Sequence, residues 1–327
     1  MNLGDTMVAP SLATGYGHLS HGAYSPHVVG RLFDVKGYGV NPETGLIDYD
    51  EIDRLVADNH PRVVLAGYSA YPRNVDWRRI ADIANQYGAV SMADISHPAG
   101  PTLAGLLNYP WDAGIDVVTT TTHKTLRGPK GAAAVFNQES LDKKVGKKGA
   151  VLGNINRSAF PGLLGGPDLP RIAGCASTFG RVKTPEFVEY QRAVLANTAQ
   201  LAEELKRRGW PLETDGTDNH LLLSKVTGID GLRGESNKNG WAAAKALEVV
   251  GIVVNKNGIP YTDGTPVRPC GVRMGAAAVT SRGFGIDEMT EVAGMIDDAL
   301  RYAGDQTKID GIRQRVRDIA RAFPVQI

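Results

Sequence analysis

Apolar residues follow two alternating patterns along the first half of the chain. Short runs rich in β-branched residues and alanine predict buried strands over 63–68, 89–94 and 116–122. Apolar residues at helical spacing predict helices over 47–59 and 76–87. Strands that alternate with helices favour right-handed βαβ units, so the pattern predicts an α/β fold with a mainly parallel sheet covered on both faces.

The opening stretch lacks such a pattern. Residues 1–25 are rich in Gly, His and Ser, which predicts a loop. His18 and His21 lie three residues apart in it. This spacing suits metal ligands, core histidines or a planar ring placed against a flat ligand, although no third metal ligand is near in the sequence.

The second half of the chain predicts a separate domain. The glycine-rich stretch 160–167 predicts a loop, and the amphipathic stretch 185–208 predicts a long helix that joins a larger domain, 1–185, to a smaller one, 186–327. The smaller domain is expected to contain strands over 220–226, 252–254 and 271–275, a helix over 241–250 and two terminal helices.

Composition narrows the class of protein. The 327 residues carry a net charge of +1 with scattered Lys and Arg, which gives no electrostatic footprint for nucleic acid or an anionic membrane. No leader-like segment or apolar run long enough to span a bilayer is found, so we expect a cytoplasmic protein. Cys175 and Cys270 lie far apart without metal-ligand spacing, which argues against zinc and against a disulfide framework.

A lysine closely follows the third predicted strand. The run 116–131 passes from Val and Thr residues to His123 and Lys124 and then to a Gly-Pro turn, so Lys124 lies where a strand stops. An apolar surrounding would favour its neutral, nucleophilic amine, which suits Schiff-base chemistry with an aldehyde. The alternative is a solvated surface lysine, as most lysines are.

Other polar residues are expected beside this lysine. Asp94 ends the preceding predicted strand, and His97 follows it closely. Ligands of open α/β sheets bind outside the carboxyl ends of the strands. Asp94, His97, His123 and Lys124 therefore form one candidate site.

The run 117–131 resembles the cofactor-lysine motif of the serine hydroxymethyltransferases, which are pyridoxal-phosphate enzymes of fold type I. The similarity continues over nearly the whole chain, in segments 18–22, 67–71, 93–97, 160–167, 254–257 and 271–284. The resemblance implies an aminotransferase-like fold, with a mainly parallel large domain and a smaller α+β C-terminal domain.

The resemblance implies roles for residues around the cofactor, pyridoxal 5'-phosphate. Lys124 would form the Schiff base, and Asp94 would pair with the pyridine nitrogen and keep it protonated. His18 would stack on the ring, while His97 and Ser69 would hydrogen-bond the phenolic oxygen and its surroundings.

Five further residues receive roles in the same way. Thr121 would contact the cofactor, and His123 would position groups near the reacting carbon. Arg273 would bind the substrate α-carboxylate, because a guanidinium matches a carboxylate with two parallel hydrogen bonds. Gly165 and Gly166 would approach the phosphate of the cofactor in a neighbouring subunit.

The resemblance also implies tetrahydrofolate as co-substrate. Six residues occupy the family's positions for the pteridine and its linker: Leu12, Gly17, Leu19, Thr265, Pro266 and Val267. Two departures weaken these assignments, because the family usually has an aromatic residue at Val267 and Tyr16 is an insertion beside the glycine.

Met1 aligns inside the large domain of the family, so the family's N-terminal segment has no counterpart here. That segment carries a phosphate-binding loop, tyrosines that reach across the dimer and a glutamate that transfers protons. Our leading hypothesis is a split enzyme, a hetero-oligomer in which a second polypeptide supplies the segment. The alternatives are a truncated gene product and a non-catalytic partner or regulatory subunit. In a dimer or higher oligomer the site would lie at a subunit interface, and an isolated monomer would be inactive.

The expected activity is reversible one-carbon transfer between serine, or α-methylserine, and tetrahydrofolate, giving glycine or alanine. Departures from the family at Leu164, Pro170, Ala276 and Ala277 also fit a specialised α-methyl substrate or a folate-independent aldolase or transaldolase that acts on β-hydroxy amino acids.

Overall fold

The computed structural model describes residues 1–14, 16–17, 27–136, 140, 143, 155–226, 239–262, 264 and 268–325. The chain divides into two compact units. The first contains Met1–Val40, Ile47–Ser69 and Val75–Val188, and the second contains Asn41–Leu46, Ala70–Asn74 and Glu189–Ile327.

A six-stranded sheet forms the centre of the first unit. Its strands are β1 (Thr6–Pro10), β2 (Asp34–Tyr38), β3 (Val63–Ala66), β4 (Val90–Asp94), β5 (Val117–Thr121) and β6 (Ala132–Phe136). The spatial order is β2-β1-β3-β4-β5-β6, and every neighbouring pair is parallel except β5 and β6. The predicted mainly parallel α/β sheet is confirmed.

Helices connect the first five of these strands, and one further helix follows β6. They are α1 (Val28–Leu32), α2 (Tyr49–Asn59), α3 (Trp77–Gln86), α4 (Ala99–Leu103) and α5 (Leu169–Arg181). The carboxylates of Asp48 and Asp76 accept hydrogen bonds from backbone N–H groups in the first turns of α2 and α3. Both helices therefore begin later than predicted, because the capping residue itself has non-helical backbone.

Two predictions for the first unit need correction. Residues 1–25 are not all loop, because Thr6–Pro10 forms β1, a strand between β2 and β3 with a buried Met7–Ala9 run. Within the stretch 160–167, the first residues belong to an irregular helical turn, Ser158–Leu163, whose residues are largely exposed. The segment Thr6–Pro10 ends in a proline and lies in a stretch rich in Gly, His and Ser, so its pairing with β2 and β3 decides its conformation.

The second unit contains a three-stranded antiparallel sheet. The order is β7 (Leu222–Lys225), β9 (Gly271–Met274) and β8 (Asn255–Asn257). The prediction of a strand over 252–254 is wrong. The pairing with β9 begins at Asn255, and Val253 is 85% exposed.

Five helices of the described chain accompany this sheet. They are α6 (Pro185–Arg207), which begins in the first unit, α7 (Gly240–Val250), α8 (Ala277–Thr280), α9 (Ile286–Arg301) and α10 (Gln306–Ala322). Apolar residues of four of these helices and of the strands β7 and β9 pack into one core, among them Leu205, Leu222, Leu247, Val272, Met289 and Ile309. In the described parts of the chain, no helix combines the length and apolarity needed to cross a membrane.

Candidate functional site

The candidate site starts from two neighbouring strands. β4 and β5 pair in parallel, with Asp94 opposite Thr119 in the register. Asp94 is the last residue of β4, and His123 and Lys124 follow the end of β5. The carboxyl ends of both strands meet at one edge of the sheet, so the acid and the amine belong to the same edge.

Neutral donors hold the Asp94 carboxylate. Its Oδ1 accepts a hydrogen bond from the backbone N–H of Ser96 at 2.9 Å, and its Oδ2 accepts one from the Thr119 hydroxyl at 2.8 Å. Among the described residues, Asp94 forms no ion pair. An ionised carboxylate has about four acceptor positions, so the two bonds orient it and leave acceptor capacity for a ligand.

A glycine brings the end of β3 close to Asp94. Gly67 follows β3 with φ +147°, and a Cβ there would lie 2.5 Å from the Asp94 carbonyl oxygen and 2.8 Å from the Asp94 Cβ. Only glycine allows both this backbone conformation and this approach. Ser69 follows two residues later and is half-buried, so the same chain segment carries a predicted cofactor contact.

Lys124 lies on a closed loop. The Thr122 N–H donates to the Gly131 carbonyl at 3.0 Å, and the Gly128 N–H donates to the Thr122 carbonyl at 2.7 Å. Within this loop the Arg127 N–H donates to the Lys124 carbonyl at 2.9 Å. These bonds fix the backbone that carries the half-buried Lys124, while His123 is exposed.

Thr125 connects the loop that carries Lys124, residues 122–131 (the lysine loop), to the segment that follows β4. Its hydroxyl donates to the His97 carbonyl at 2.8 Å and accepts from the Gly100 N–H at 2.8 Å, and the residue is only 4% exposed. The backbones of Lys124 and His97 are thus held together. Sequence reasoning missed Thr125, and its position directly after Lys124 was the only available signal.

Helix α5 packs closely on the same loop. A Cβ at Gly131 would lie 2.7 Å from Cys175 Sγ, and a Cβ at Gly128 would collide with the Thr178 hydroxyl. The two glycines therefore permit the helix to approach. Sequence reasoning missed both, because a Gly in a turn gives no indication of which helix lies against it.

The remaining predicted residues of the first unit are distributed around this edge. The Thr121 hydroxyl donates to the Ser96 carbonyl at 3.5 Å, a long contact. Gly17 is buried, and a Cβ there would lie 2.7 Å from the Pro10 Cβ at the carboxyl end of β1. Leu12 is half-buried, close after the same strand.

Two glycines predicted to bind phosphate lie in a solvent-exposed stretch. Gly165 and Gly166 follow the irregular helical turn, and a Cβ at either would meet nothing within 4 Å. Neither glycine is packed closely against another described part of the chain. The predicted residues His18, Leu19, Thr265, Pro266 and Val267 lie outside the described residues.

Arg273 belongs to the second unit. It lies on β9 opposite Asn255 of β8, and its Nη2 donates to the Asn255 Oδ1 at 2.8 Å. Burial lowers the pKa of the Arg273 guanidinium. An anion that binds it would offset this cost of desolvation, and a carboxylate matches the guanidinium geometry.

Comparisons with known proteins show which family the chain is similar to. A family model described as serine hydroxymethyltransferase matches residues 1–296. The chain is 42% identical to serine hydroxymethyltransferase 2 of Ralstonia nicotianae and 42% identical to serine hydroxymethyltransferase 2 of Cupriavidus pinatubonensis; each alignment covers 98% of this chain and 72% of the relative. It is 41% identical to serine hydroxymethyltransferase of Acinetobacter baylyi, over 99% of this chain and 73% of that protein.

Proposed function

Because this chain belongs to the serine hydroxymethyltransferase family, whose members use pyridoxal 5'-phosphate and tetrahydrofolate, we propose that it transfers a hydroxymethyl group reversibly from serine or α-methylserine to tetrahydrofolate. Glycine or alanine would be the amino-acid product. The observation that carries the proposal is the shared edge of β4 and β5, where an oriented carboxylate, Asp94, ends one strand and an amine, Lys124, follows the other.

The described residues fit pyridoxal 5'-phosphate in their chemistry. An aldehyde requires an amine, which Lys124 offers, and a pyridine nitrogen requires an acidic partner, which Asp94 offers without an ion pair among the described residues. Gly67 keeps side-chain atoms away from the Asp94 backbone. When bound, this cofactor withdraws electrons from the α-carbon of an amino acid.

The residues of the chain would hold and orient the reactants. Lys124 would anchor the cofactor through its amine, and Asp94 would hold a proton on the ring nitrogen. His97 and Ser69 would bind ring substituents beside Asp94. Thr121 and His123 would position groups on the β5 side. Their places near the carboxyl ends of β3, β4 and β5 support these roles.

Arg273 would bind the α-carboxylate of the amino acid. Its burial and its hydrogen bond to Asn255 support this role, because a pre-oriented, partly desolvated guanidinium binds a carboxylate with little loss of side-chain freedom. Leu12 and Gly17 would contribute to the folate subsite, together with the predicted residues outside the described chain.

An exposed apolar segment supports a site completed by a second copy of the chain. Leu163 is 85% exposed, and the large apolar side chains of Phe160, Leu164, Leu169 and Ile172 are exposed as well. Such a cluster is typical of a protein interface. Burial against a second copy would bring the backbone N–H groups of Gly165 and Gly166 to the phosphate in that copy's site.

Participation of a second polypeptide stays a prediction from the sequence. The chain would be purified alone and after co-expression with the product of any neighbouring reading frame. A stable complex that gains activity over the isolated chain would support the split enzyme. If the isolated chain is as active as the complex, the split-enzyme hypothesis is refuted.

The decisive experiment fixes the cofactor chemically. The protein is incubated with pyridoxal 5'-phosphate, reduced with borohydride and digested, and the labelled peptide is identified by mass spectrometry. We expect the label on Lys124 and its loss in Lys124→Arg. Lys130→Arg, a change at an exposed lysine of the same loop, should retain it. Absence of label in the chain alone and in every complex would refute the proposal.

Substrate assays separate the competing activities. Serine, α-methylserine and threonine are each offered with and without tetrahydrofolate, and release of glycine or alanine is measured. Conversion of serine or α-methylserine only in the presence of tetrahydrofolate supports the hydroxymethyltransferase. Conversion of β-hydroxy amino acids without it would favour the folate-independent aldolase or transaldolase.

A further inference from the structure

We infer that Thr119 is a positioning residue that holds the Asp94 carboxylate in its binding orientation. The inference rests on the function proposed for Asp94. It concerns a residue without a role so far, in the middle of β5 and outside the lysine loop.

The two donors to Asp94 come from different elements. The Ser96 N–H belongs to the turn that begins at Asp94 itself, so this bond fixes the carboxylate only relative to its own turn. The Thr119 hydroxyl belongs to β5 and lies across the parallel ladder from Asp94. Thr119 therefore supplies the bond that fixes the carboxylate relative to the strand leading to Lys124.

The hydroxyl is not needed for the strand itself. β5 begins with Val117 and Val118, and valine has the same branched shape and strand preference as threonine. Alternate residues of a strand face opposite sides of a sheet, so Thr120 faces away from Thr119. The Thr120 hydroxyl donates to the neighbouring Thr121 carbonyl at 3.2 Å, and the residue is buried.

Loss of the Thr119 hydroxyl would leave one oxygen of Asp94 without its fixed donor. The carboxylate would then be held through Oδ1 alone, so rotation about the Cβ–Cγ bond would be less restricted. Hydrogen bonds to an ionised group are among the stronger ones in proteins, and rotational freedom at a binding group weakens the ligand that it binds. We therefore expect a selective loss of cofactor affinity.

Three variants test the inference in the form of the protein that binds pyridoxal 5'-phosphate. Thr119→Val removes the hydroxyl and keeps the shape, Thr119→Ser restores the hydroxyl, and Thr120→Val is the matched control on the other face. The dissociation constant is measured from the visible absorbance of the lysine-linked cofactor, and the melting temperature is measured on the same samples.

We expect Thr119→Val to raise the dissociation constant about tenfold, as loss of one hydrogen bond to a charged group would. Thr119→Ser should bind within about threefold of the wild type, and Thr120→Val should bind as the wild type does.

Equal affinities for Thr119→Val and wild type would overturn the inference and leave the proposed function standing. A loss that Thr119→Ser does not rescue, or that Thr120→Val shares, would also overturn it, because the effect would then be on the strand. A wild-type protein that never links the cofactor to Lys124 would overturn the proposed function and the inference together.

Discussion

Asp94 and Asp116 lie at opposite ends of the paired strands β4 and β5, and the groups that contact their carboxylates differ. Asp116, immediately before β5, is 5% exposed, and its Oδ2 accepts a bond from the Lys143 ammonium at 2.6 Å. The backbone N–H and hydroxyl of Ser91 donate to the same oxygen. At this amino-end edge, the negative charge is cancelled within the protein.

Asp94, at the carboxyl-end edge, has neutral donors and no cation among the described residues. Ser96 and Thr119 orient its carboxylate, and the residue is half-buried. A carboxylate that is oriented but not paired keeps its charge for a ligand. The difference teaches that the same residue type, next to the same two strands, is neutralised within the protein where a lysine reaches it, and is left available for the binding role proposed above where its donors among the described residues are neutral.

Removing the charge of Asp94 should have the largest effect, and it tests whether this carboxylate serves catalysis more than stability. Asp94→Asn keeps the shape, and we expect turnover of serine with tetrahydrofolate to fall about 100-fold or more, since oriented charges at reaction sites contribute on this scale. The free energy of unfolding in urea should fall by about 1 kcal/mol, because one donor would then face the amide nitrogen. Wild-type turnover of Asp94→Asn would show that the charge is dispensable.

The same substitution at Asp116 should lower the free energy of unfolding and leave turnover nearly unchanged. Asp116→Asn leaves the Lys143 ammonium without its carboxylate, and breaking a buried pair in this way is expected to cost about 3 kcal/mol in the free energy of unfolding. Turnover per folded molecule should change little.

A double-mutant cycle with Lys143→Met isolates the pair. The double variant should be more stable than the sum of the two single losses predicts. Strict additivity would contradict the interpretation of Asp116 as half of an ion pair.

A substitution at Gly67, beside Asp94, should have a smaller effect on stability and on cofactor binding. Gly67→Ala would place a Cβ against the Asp94 backbone at a positive φ, and we expect a loss of about 2 kcal/mol in stability together with weaker cofactor binding. Gly88→Ala is the matched control, because Gly88 also has a positive φ but open space around it. Its cost should be about 1 kcal/mol, with cofactor binding unchanged. Weaker cofactor binding in both variants would remove the specific link between Gly67 and Asp94.

Local sequence patterns predicted the elements with strong periodicity. The helices α2, α3, α9 and α10 have apolar faces that can be recognised in short windows of sequence, and the structure contains them with small shifts at their ends. Capping by Asp48 and Asp76 explains two of these shifts. The strands β1, β2 and β6 were missed, because they contain a proline, a glycine and three alanines respectively, residue types that are depleted in strands, so pairing in the sheet decides their conformation.

The sequence by itself determined the family, the α/β class and the candidate pair of Asp94 and Lys124, because these depend on residue types at fixed spacings along one chain. Only the tertiary structure decided that Asp94 faces Thr119, that Thr125 ties the lysine loop to His97, and that Lys143 neutralises Asp116. Strand order and register bring together residues 25 or more positions apart, and no local pattern specifies which of them meet.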